Sequence, residues 1–365
     1  MKESNLCIYT KEPHEDVELK SGDHIFLAAI GGIKKLPKTY VSHEANNHFS
    51  KLEKHFTRDS IISLVRQFEG PGKRGKLSIK NASKSNICVM SSQISSEDIR
   101  ERYNLGYVKL GKPYTINQFI FKLDDDKSNM GTSINPEYIK DSDEPQKVLN
   151  SLLERARNST NYILIKDDNL PNNIALFGEL DDKWFLGINN DNILPIATEF
   201  INYLRNRKTV NVNDSKRYST QVKANLKSKI DMEVTYRVIA KMVFNLLALE
   251  KGHEFILESR FDPIRNWIYS GEGESNFVNI ISDNSVMKER FGSLYPERAH
   301  YIFITQIDNE LVGLIGFYGA TFSYEVKLTD LAPSKAFLPN LCGLICDWKN
   351  RVDYTLMEYI LQLEK

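Results

Sequence analysis

The stretch Ser21–Gly32 reads SGDHIFLAAIGG, and after a short connection Tyr40–Phe56 reads YVSHEANNHFSKLEKHF. In the first stretch an acid and an imidazole, Asp23 and His24, begin an apolar run that predicts a β-strand. The strand should end in a turn at the paired glycines, where positive φ angles are allowed. In the second stretch and onward to residue 68, apolar residues recur at spacings of three to five, which predicts an amphipathic helix over residues 44–68. A shorter strand-like run, LCIYT, precedes both stretches, so the expected order is strand, strand, helix.

This order can place oxygen ligands around a divalent ion. A carboxylate on the strand, Asp23, and an amide oxygen or imidazole at the start of the helix can converge on one ion. The neighbouring His24 points to the other side of the pleat and can reach a water molecule without ligating the ion. Hard oxygen ligands suit Mg²⁺ or Mn²⁺ better than Zn²⁺. A neutral histidine is a suitable general base near pH 7, so the pattern predicts phosphodiester hydrolysis.

From about Cys7 to Arg58 the chain resembles the HNH endonuclease family, which has the ββα-metal fold. The closest family pattern is acid-His-Ile-Ile-Pro-x-x-Leu-Gly-Gly, followed by Cys-x-x-Cys-Asn-x-x-Phe on the helix. The resemblance implies that His24 is the general base and that Asp23 and Asn46 hold the metal ion. Two neighbouring side chains of the helix are alternative ligands, namely Asn47 and His48.

The resemblance breaks down at the structural zinc site of many family members. The two Cys-x-x-Cys pairs correspond here to Cys7 with Thr10 and to Ser42 with Ala45, so three of the four thiolates are absent. A structural zinc is therefore not expected, and packing would have to hold the module together. Leu27 stands where the family pattern has proline, and the first acid is aspartate instead of glutamate.

The implied function is a metal-dependent HNH-type endonuclease that hydrolyses DNA to 5′-phosphate and 3′-hydroxyl ends, and double-stranded DNA is the expected substrate. The region from Lys20 to Lys80 carries about 12 basic residues against about 5 acidic ones, although the whole chain has a formal net charge of zero. Candidate phosphate-binding residues lie on the helix and in the loop after it: Lys51, Lys54, Arg58, Lys73 and Arg74. Anti-phage defence and restriction are the settings considered.

Two other functions remain open from the sequence. The first is a non-catalytic nucleic-acid or ligand-binding protein with a degenerate HNH fold, in which the lost thiolates are a trace of decay. The second is a structural subunit in which another domain carries the function. Metal binding through Asp23 and Asn46 would favour the nuclease over both.

The predicted fold class is α+β. An N-terminal ββα-metal HNH module (residues 1–75) is expected to precede a larger α+β specificity or sensor domain (residues 76–365), which has an antiparallel sheet and a long core helix. That helix is predicted at Met232–Lys251, ending at Gly252. The larger domain is expected to bind a partner protein or a small signalling ligand, in addition to or in place of DNA.

The composition of the chain predicts its location and the state of its cysteines. No apolar run approaches a membrane span, so no membrane partner is expected, and the polar N-terminal residues predict a cytoplasmic location. The four cysteines lack disulfide spacing and predict reduced thiols in the core. The acidic run at 124–126 is expected to be solvent-exposed, and His253 and His300 to be surface or half-buried residues.

Overall fold

The structure, a computed structural model, describes residues 5–14, 22–72, 75–93, 101–124, 127–135, 145–207, 222–226, 230–273, 275–282, 298–330 and 342–363. It is a mixed α+β protein with several sheets, which confirms the broad fold class. In the part of the chain so described, no helix is long and apolar enough to cross a membrane.

The helices, numbered in chain order, are α1 (His43–Asp59), α2 (Ile61–Glu69), α3 (Pro145–Asn158), α4 (Leu194–Asn206), α5 (Met232–Lys251), α6 (His253–Ile256), α7 (Asp262–Ser270) and α8 (Leu356–Leu363). The strands are β1 (Asn5–Leu6), β2 (Pro13–His14), β3 (Cys88–Gln93), β4 (Glu101–Lys109), β5 (Lys112–Thr115), β6 (Asn117–Asp124), β7 (Lys127–Ser133), β8 (Ile163–Lys166), β9 (Ile174–Leu180), β10 (Lys183–Ile188), β11 (Val222–Ala224), β12 (Val278–Ile280), β13 (His300–Ile307), β14 (Glu310–Phe317), β15 (Phe322–Asp330), β16 (Cys342–Asp347) and β17 (Val352–Thr355).

The chain divides into two compact units, and the first is discontinuous. Unit 1 comprises Met1–Ser83 and Ser228–Lys365, and unit 2 comprises Lys84–Lys227. This division differs from the expected one at residues 75 and 76, because the chain returns to unit 1 after unit 2. The physical reason is a shared core: N-terminal apolar side chains such as Phe26 and Phe49 belong to the same buried cluster as the apolar side chains of α5.

Unit 1 is built on a six-stranded antiparallel sheet in the order β12-β15-β14-β13-β16-β17. One face of this sheet packs against α5, and α1 packs against α5 as well. The opposite face carries a second apolar cluster, which includes Tyr301, Phe303 and Leu356 of α8. The long helix therefore lies between the N-terminal segment and the sheet.

Unit 2 contains two sheets, with orders β7-β6-β9-β10-β8 and β11-β3-β4-β5. Helices α3 and α4 pack against each other and share a buried cluster with the five-stranded sheet, through residues such as Phe177 and Leu186. The pairing of β10 with β8 is parallel, so the expectation of an antiparallel sheet holds for this sheet only in part.

The prediction for α5 is confirmed at both ends. Asp231 caps its start by accepting a hydrogen bond from the backbone N–H of Val234 at 3.1 Å, and Gly252, with φ of 88°, ends it. The helix also lies in the core, as expected. Every residue from 237 to 248 is buried, because the helix is covered by α1 on one side and by the sheet on another.

Several local predictions are wrong. The predicted strand at 23–30 is a single bridge between His24 and Lys35 followed by a 3₁₀ turn at Ala28–Ile30. The predicted helix at 44–68 is interrupted at Ser60, whose hydroxyl accepts the backbone N–H groups of residues 62 and 63 and so begins α2.

Candidate functional site

The segment that precedes α1 is a short hairpin with little regular pairing. The N–H of Ile25 donates to the carbonyl of Lys34 at 3.0 Å, and the N–H of Leu36 donates to the carbonyl of Asp23 at 2.7 Å. Helix α1 follows, and Ser42 caps it by accepting the N–H of Ala45 at 3.2 Å. A hairpin therefore precedes a helix in the expected order, but two full strands of a ββα-metal module are not present in the described residues.

The two glycines act at the tip of this hairpin. Gly31 has φ of 106°, which confirms the predicted positive φ at this position. A Cβ atom on Gly32 would lie 1.9 Å from the carbonyl oxygen of Phe26. The paired glycines are therefore structural, and each is required for a different reason.

Asp23 uses both carboxylate oxygens within the protein. Its Oδ1 accepts the backbone N–H of His24 at 2.9 Å. Its Oδ2 accepts Nζ of Lys241 at 2.5 Å and Nδ2 of Asn245 at 3.1 Å. The Asp23 side chain is only 7% exposed, so this carboxylate is a buried acceptor with three donors around it.

Lys241 of α5 also reaches a second carboxylate. Its Nζ lies 3.0 Å from Oε1 of Glu53, a residue of α1, and the lysine side chain is wholly buried. Burial lowers the pKa of Lys241, but the charges of Asp23 and Glu53 and their hydrogen bonds outweigh it and raise the pKa above its ordinary value. Lys241 is therefore an ammonium ion, which also lies 5.1 Å from the centre of the Phe49 ring.

Asn245, one turn further along α5, completes the network. Its Nδ2 donates to Asp23 and also to the carbonyl of His24 at 3.0 Å. Its Oδ1 accepts the hydroxyl of Tyr9 at 2.6 Å, and burial followed by the charge of Asp23 raises the pKa of that tyrosine. Both N–H groups and the oxygen of the Asn245 side chain are thus hydrogen-bonded, which fixes the hairpin against α5.

His24 is partly exposed, and its imidazole has the protonation state that a general base requires. Burial, and then the charge of Lys35, lower the pKa of its imidazole below the ordinary value. The ring is therefore neutral at pH 7, and it forms no hydrogen bond with any residue that the structure describes. A neutral imidazole with a free nitrogen can accept a proton from water.

The structure does not bring Asn46 into the polar network of Asp23. Asn46 is half-buried, and only its backbone is hydrogen-bonded among the described residues, to the carbonyl of Ser42 at 3.0 Å. The α1 residue joined to Asp23 through Lys241 is Glu53, which is seven positions later, or about 10 Å along the helix axis. Sequence reasoning missed Glu53 as well as Lys241 and Asn245.

The alternative ligands have other partners. Asn47 Nδ2 lies 2.8 Å from Nε2 of His43 on the exposed side of α1. His48 Nε2 lies 2.7 Å from the carbonyl of Tyr269, and the two rings pack with centroids 4.6 Å apart. Asn47 therefore lies on the exposed surface of α1, and His48 packs α1 against α7.

The predicted phosphate-binding residues fall into two groups. Lys51, Lys54 and Arg58 are exposed on α1. Lys73 and Arg74 lie outside the described residues, as do the side chains of the acidic run at 124–126.

The positions that the resemblance aligns with the family's two zinc-binding pairs lie close together. The backbone N–H of Ser42 lies 3.4 Å from Sγ of Cys7, and the N–H of Ile8 donates to the carbonyl of Tyr40 at 2.8 Å. Cys7 and Ala45 are fully buried. The two segments that the resemblance aligns with the family's cysteine pairs are thus adjacent, and Cys7 and Ala45 belong to the same buried apolar cluster.

The surroundings of Asp23 do not fit a divalent cation in addition to the ammonium of Lys241. An ion on the other oxygen of Asp23 would lie about 5 Å from that ammonium, and at an effective dielectric constant of about 20 the repulsion is roughly 7 kcal/mol. Among the described residues, no group of three or more His, Cys, Asp or Glu side chains could hold a metal ion. Asp23 and Asn46 therefore do not form the expected site in this arrangement.

The other singled-out residues are structural. All four cysteines are free, and Cys342 is only partly buried. His253 is half-buried, with Nε2 2.7 Å from the carbonyl of Leu6. His300 is fully buried, contrary to expectation, because its ring links the carbonyl of Ile30 and the N–H of Tyr318.

Comparison with known proteins adds no relative. No protein-family model, no curated protein and no solved structure matches this chain.

Proposed function

We propose that unit 1 contains a zinc-free HNH-type module that hydrolyses phosphodiester bonds in DNA. The observation that carries the proposal is His24, a neutral and partly exposed imidazole at the base of a hairpin that leads into α1. The contact between Cys7 and Ser42 supports the relationship to the HNH family, because these residues correspond to one position in each of the family's two zinc-binding pairs.

In the proposed reaction, the free nitrogen of His24 takes a proton from a water molecule. The water oxygen then forms a bond to phosphorus, and the bond from phosphorus to the 3′ oxygen breaks. The leaving 3′ oxygen takes up a proton from solvent water, so the products are a 5′-phosphate and a 3′-hydroxyl. General base catalysis of this kind typically contributes about 10²- to 10⁴-fold to the rate.

Double-stranded DNA is the proposed substrate, and the exposed basic residues of α1 are the proposed phosphate contacts. Lys51, Lys54 and Arg58 lie at spacings of three and four, and all three are exposed on α1. Anti-phage defence or restriction is the proposed setting, with unit 2 binding a partner protein or a small signalling ligand.

Mg²⁺ or Mn²⁺ is the cofactor that the resemblance implies, and when bound it would stabilise the charge on the leaving oxygen. The surroundings of Asp23 do not fit it, so the steps assigned to the chain rest on His24 and on the basic face of α1. The cleavage assay includes both ions, because a site elsewhere would serve the same chemistry.

The test is cleavage of supercoiled plasmid DNA with Mg²⁺, Mn²⁺ or EDTA, by wild type and by His24→Ala. His43→Ala is the matched control, since it removes an exposed imidazole from the start of α1. We expect nicking by wild type and by the control, and a loss of at least about a hundredfold in His24→Ala. Equal cleavage by wild type and His24→Ala would show that His24 is not the base.

A second candidate function is a non-catalytic nucleic-acid or ligand-binding protein with a degenerate HNH fold. The ammonium of Lys241 on the Asp23 carboxylate favours it, because this contact replaces the metal on which the family's chemistry depends. Wild type would then bind a DNA duplex in fluorescence anisotropy without cutting it under any metal condition. Replacing Lys51, Lys54 and Arg58 by alanine would weaken that binding and reduce its salt dependence.

A further inference from the structure

Three separate segments of unit 1 meet at one buried positive charge. Asp23 comes from the hairpin, Glu53 from α1 and Lys241 from α5, and Nζ lies 2.5 Å and 3.0 Å from the two carboxylates. The lysine side chain is fully buried, whereas Glu53 is 27% exposed. The cluster therefore has a closed side at α5 and an open side at α1.

The oxygen atoms around this charge are those that a hard cation prefers. Two carboxylates supply them, and the Asn245 amide, held by Tyr9, fixes the orientation of the more buried one. Ligands that are themselves hydrogen-bonded in this way are typical of metal sites. Here the cation is an ammonium that the chain itself provides.

We propose that Lys241 takes the place of a divalent cation between Asp23 and Glu53. Wild type accordingly binds no Mg²⁺ or Mn²⁺ through Asp23, and an uncharged side chain at position 241 converts the two carboxylates into a divalent-cation site. The inference goes beyond the proposed nuclease function, because it concerns ion binding in the absence of DNA. If cleavage proves to need a metal ion, that ion binds elsewhere.

The charge balance explains why the exchange should work. With the ammonium present, a second cation at Asp23 is repelled at close range. Without it, two carboxylates that share one neighbourhood attract a divalent ion, and the exposed edge of Glu53 gives the ion a route in. Methionine has a chain of similar length to lysine and no charge, so Lys241→Met removes the ammonium with little change in volume.

The experiment measures Mn²⁺ binding to the full-length chain by the loss of the electron paramagnetic resonance signal of free Mn²⁺. Wild type, Asp23→Asn, Lys241→Met and the double variant Lys241→Met/Asp23→Asn are compared, and Lys241→Arg is the charge-preserving control. We expect Lys241→Met to bind Mn²⁺ at least about a hundredfold more tightly than wild type. The double variant should lose this binding, and Lys241→Arg should behave as wild type.

Two results would overturn the proposal: Mn²⁺ binding by wild type that Asp23→Asn abolishes, or Mn²⁺ binding by Lys241→Met that is no tighter than that of wild type. Should Lys241→Met not fold, Lys241→Gln is the second variant, and both are refolded with and without Mn²⁺. Recovery of folding by Mn²⁺ supports the exchange, since a ligand stabilises the state that binds it. Failure of both variants to fold with Mn²⁺ present also contradicts it.

Discussion

Replacing Lys241 by methionine should destabilise unit 1 strongly. The change leaves two carboxylates without their counter-charge, and one of them, Asp23, is only 7% exposed. Removing one partner of a buried ion pair costs about 3 to 5 kcal/mol, because the remaining charge stays buried and unpaired. The amide of Asn245 still donates to Asp23, so we expect about 3 kcal/mol of lost unfolding free energy at pH 7.

Urea unfolding followed by tryptophan fluorescence measures this loss, since Trp267 and Trp348 are buried in unit 1. Lys327→Met is the matched control. Lys327 also bridges two carboxylates, Glu310 at 2.6 Å and Asp330 at 2.9 Å, but its side chain is 33% exposed. Solvent screening should limit the cost of that substitution to about 1 kcal/mol or less.

The cost at position 241 should disappear when the carboxylates are neutralised. Lys241→Met/Asp23→Asn/Glu53→Gln should recover most of the lost stability, because no buried charge remains unpaired. Lowering the pH should also reduce the difference in unfolding free energy between wild type and Lys241→Met, since buried carboxylates without a counter-charge take up protons readily. A loss in Lys241→Met no larger than that in Lys327→Met would refute the assignment of a buried, strongly coupled ammonium.

Three further outcomes are expected. Tyr9→Phe leaves the Oδ1 atom of Asn245 unpaired in the core and should cost about 1 to 3 kcal/mol in the same urea assay; a neutral result would contradict the 2.6 Å hydrogen bond. Burial lowers the pKa of His300 to about 3, whereas the pKa of histidine in the unfolded chain is near 6.5. As the pH falls, the unfolded chain therefore binds a proton that the folded chain does not. The contribution of His300 to the unfolding free energy should drop by about 2 kcal/mol from pH 7 to pH 5. His300→Gln should lack this part of the pH dependence, and an unchanged slope would count against the buried neutral ring. Gly31→Ala should cost at least about 1 to 3 kcal/mol by thermal unfolding, since φ is 106° and the new Cβ atom would lie 2.4 Å from Cβ of Trp348; a stability equal to wild type would contradict this turn geometry.

Long periodic segments were predictable from sequence, and short ones were not. The bounds of α5 followed from a long, mostly apolar run that ends at Gly252. The strand predicted at 23–30 failed because its backbone groups pair at one bridge only. The apolar side chains of this segment are buried in the core, although its backbone is not part of a sheet.

The candidate site was only half visible in the sequence. Asp23 and His24 stood out because they are adjacent and open an apolar run. Lys241 and Asn245 carried a weaker signal, because they are two polar residues four positions apart in the otherwise apolar stretch VIAKMVFNLLAL. In a helix with only one buried face, these two residues would be expected to face solvent. Glu53 was hidden among the charged residues of α1.

The sequence by itself determined the mixed α+β class, the long core helix and the turn at Gly31, and it singled out Asp23 and His24 as candidate site residues. These features depend on local backbone preference and on hydrophobic periodicity, which act over short distances along the chain. Only the tertiary structure decided that residue 241 meets residue 23 and that unit 1 is completed by the C-terminal part of the chain. Such pairings depend on which buried charge finds a partner in the common core, and no local pattern encodes that choice.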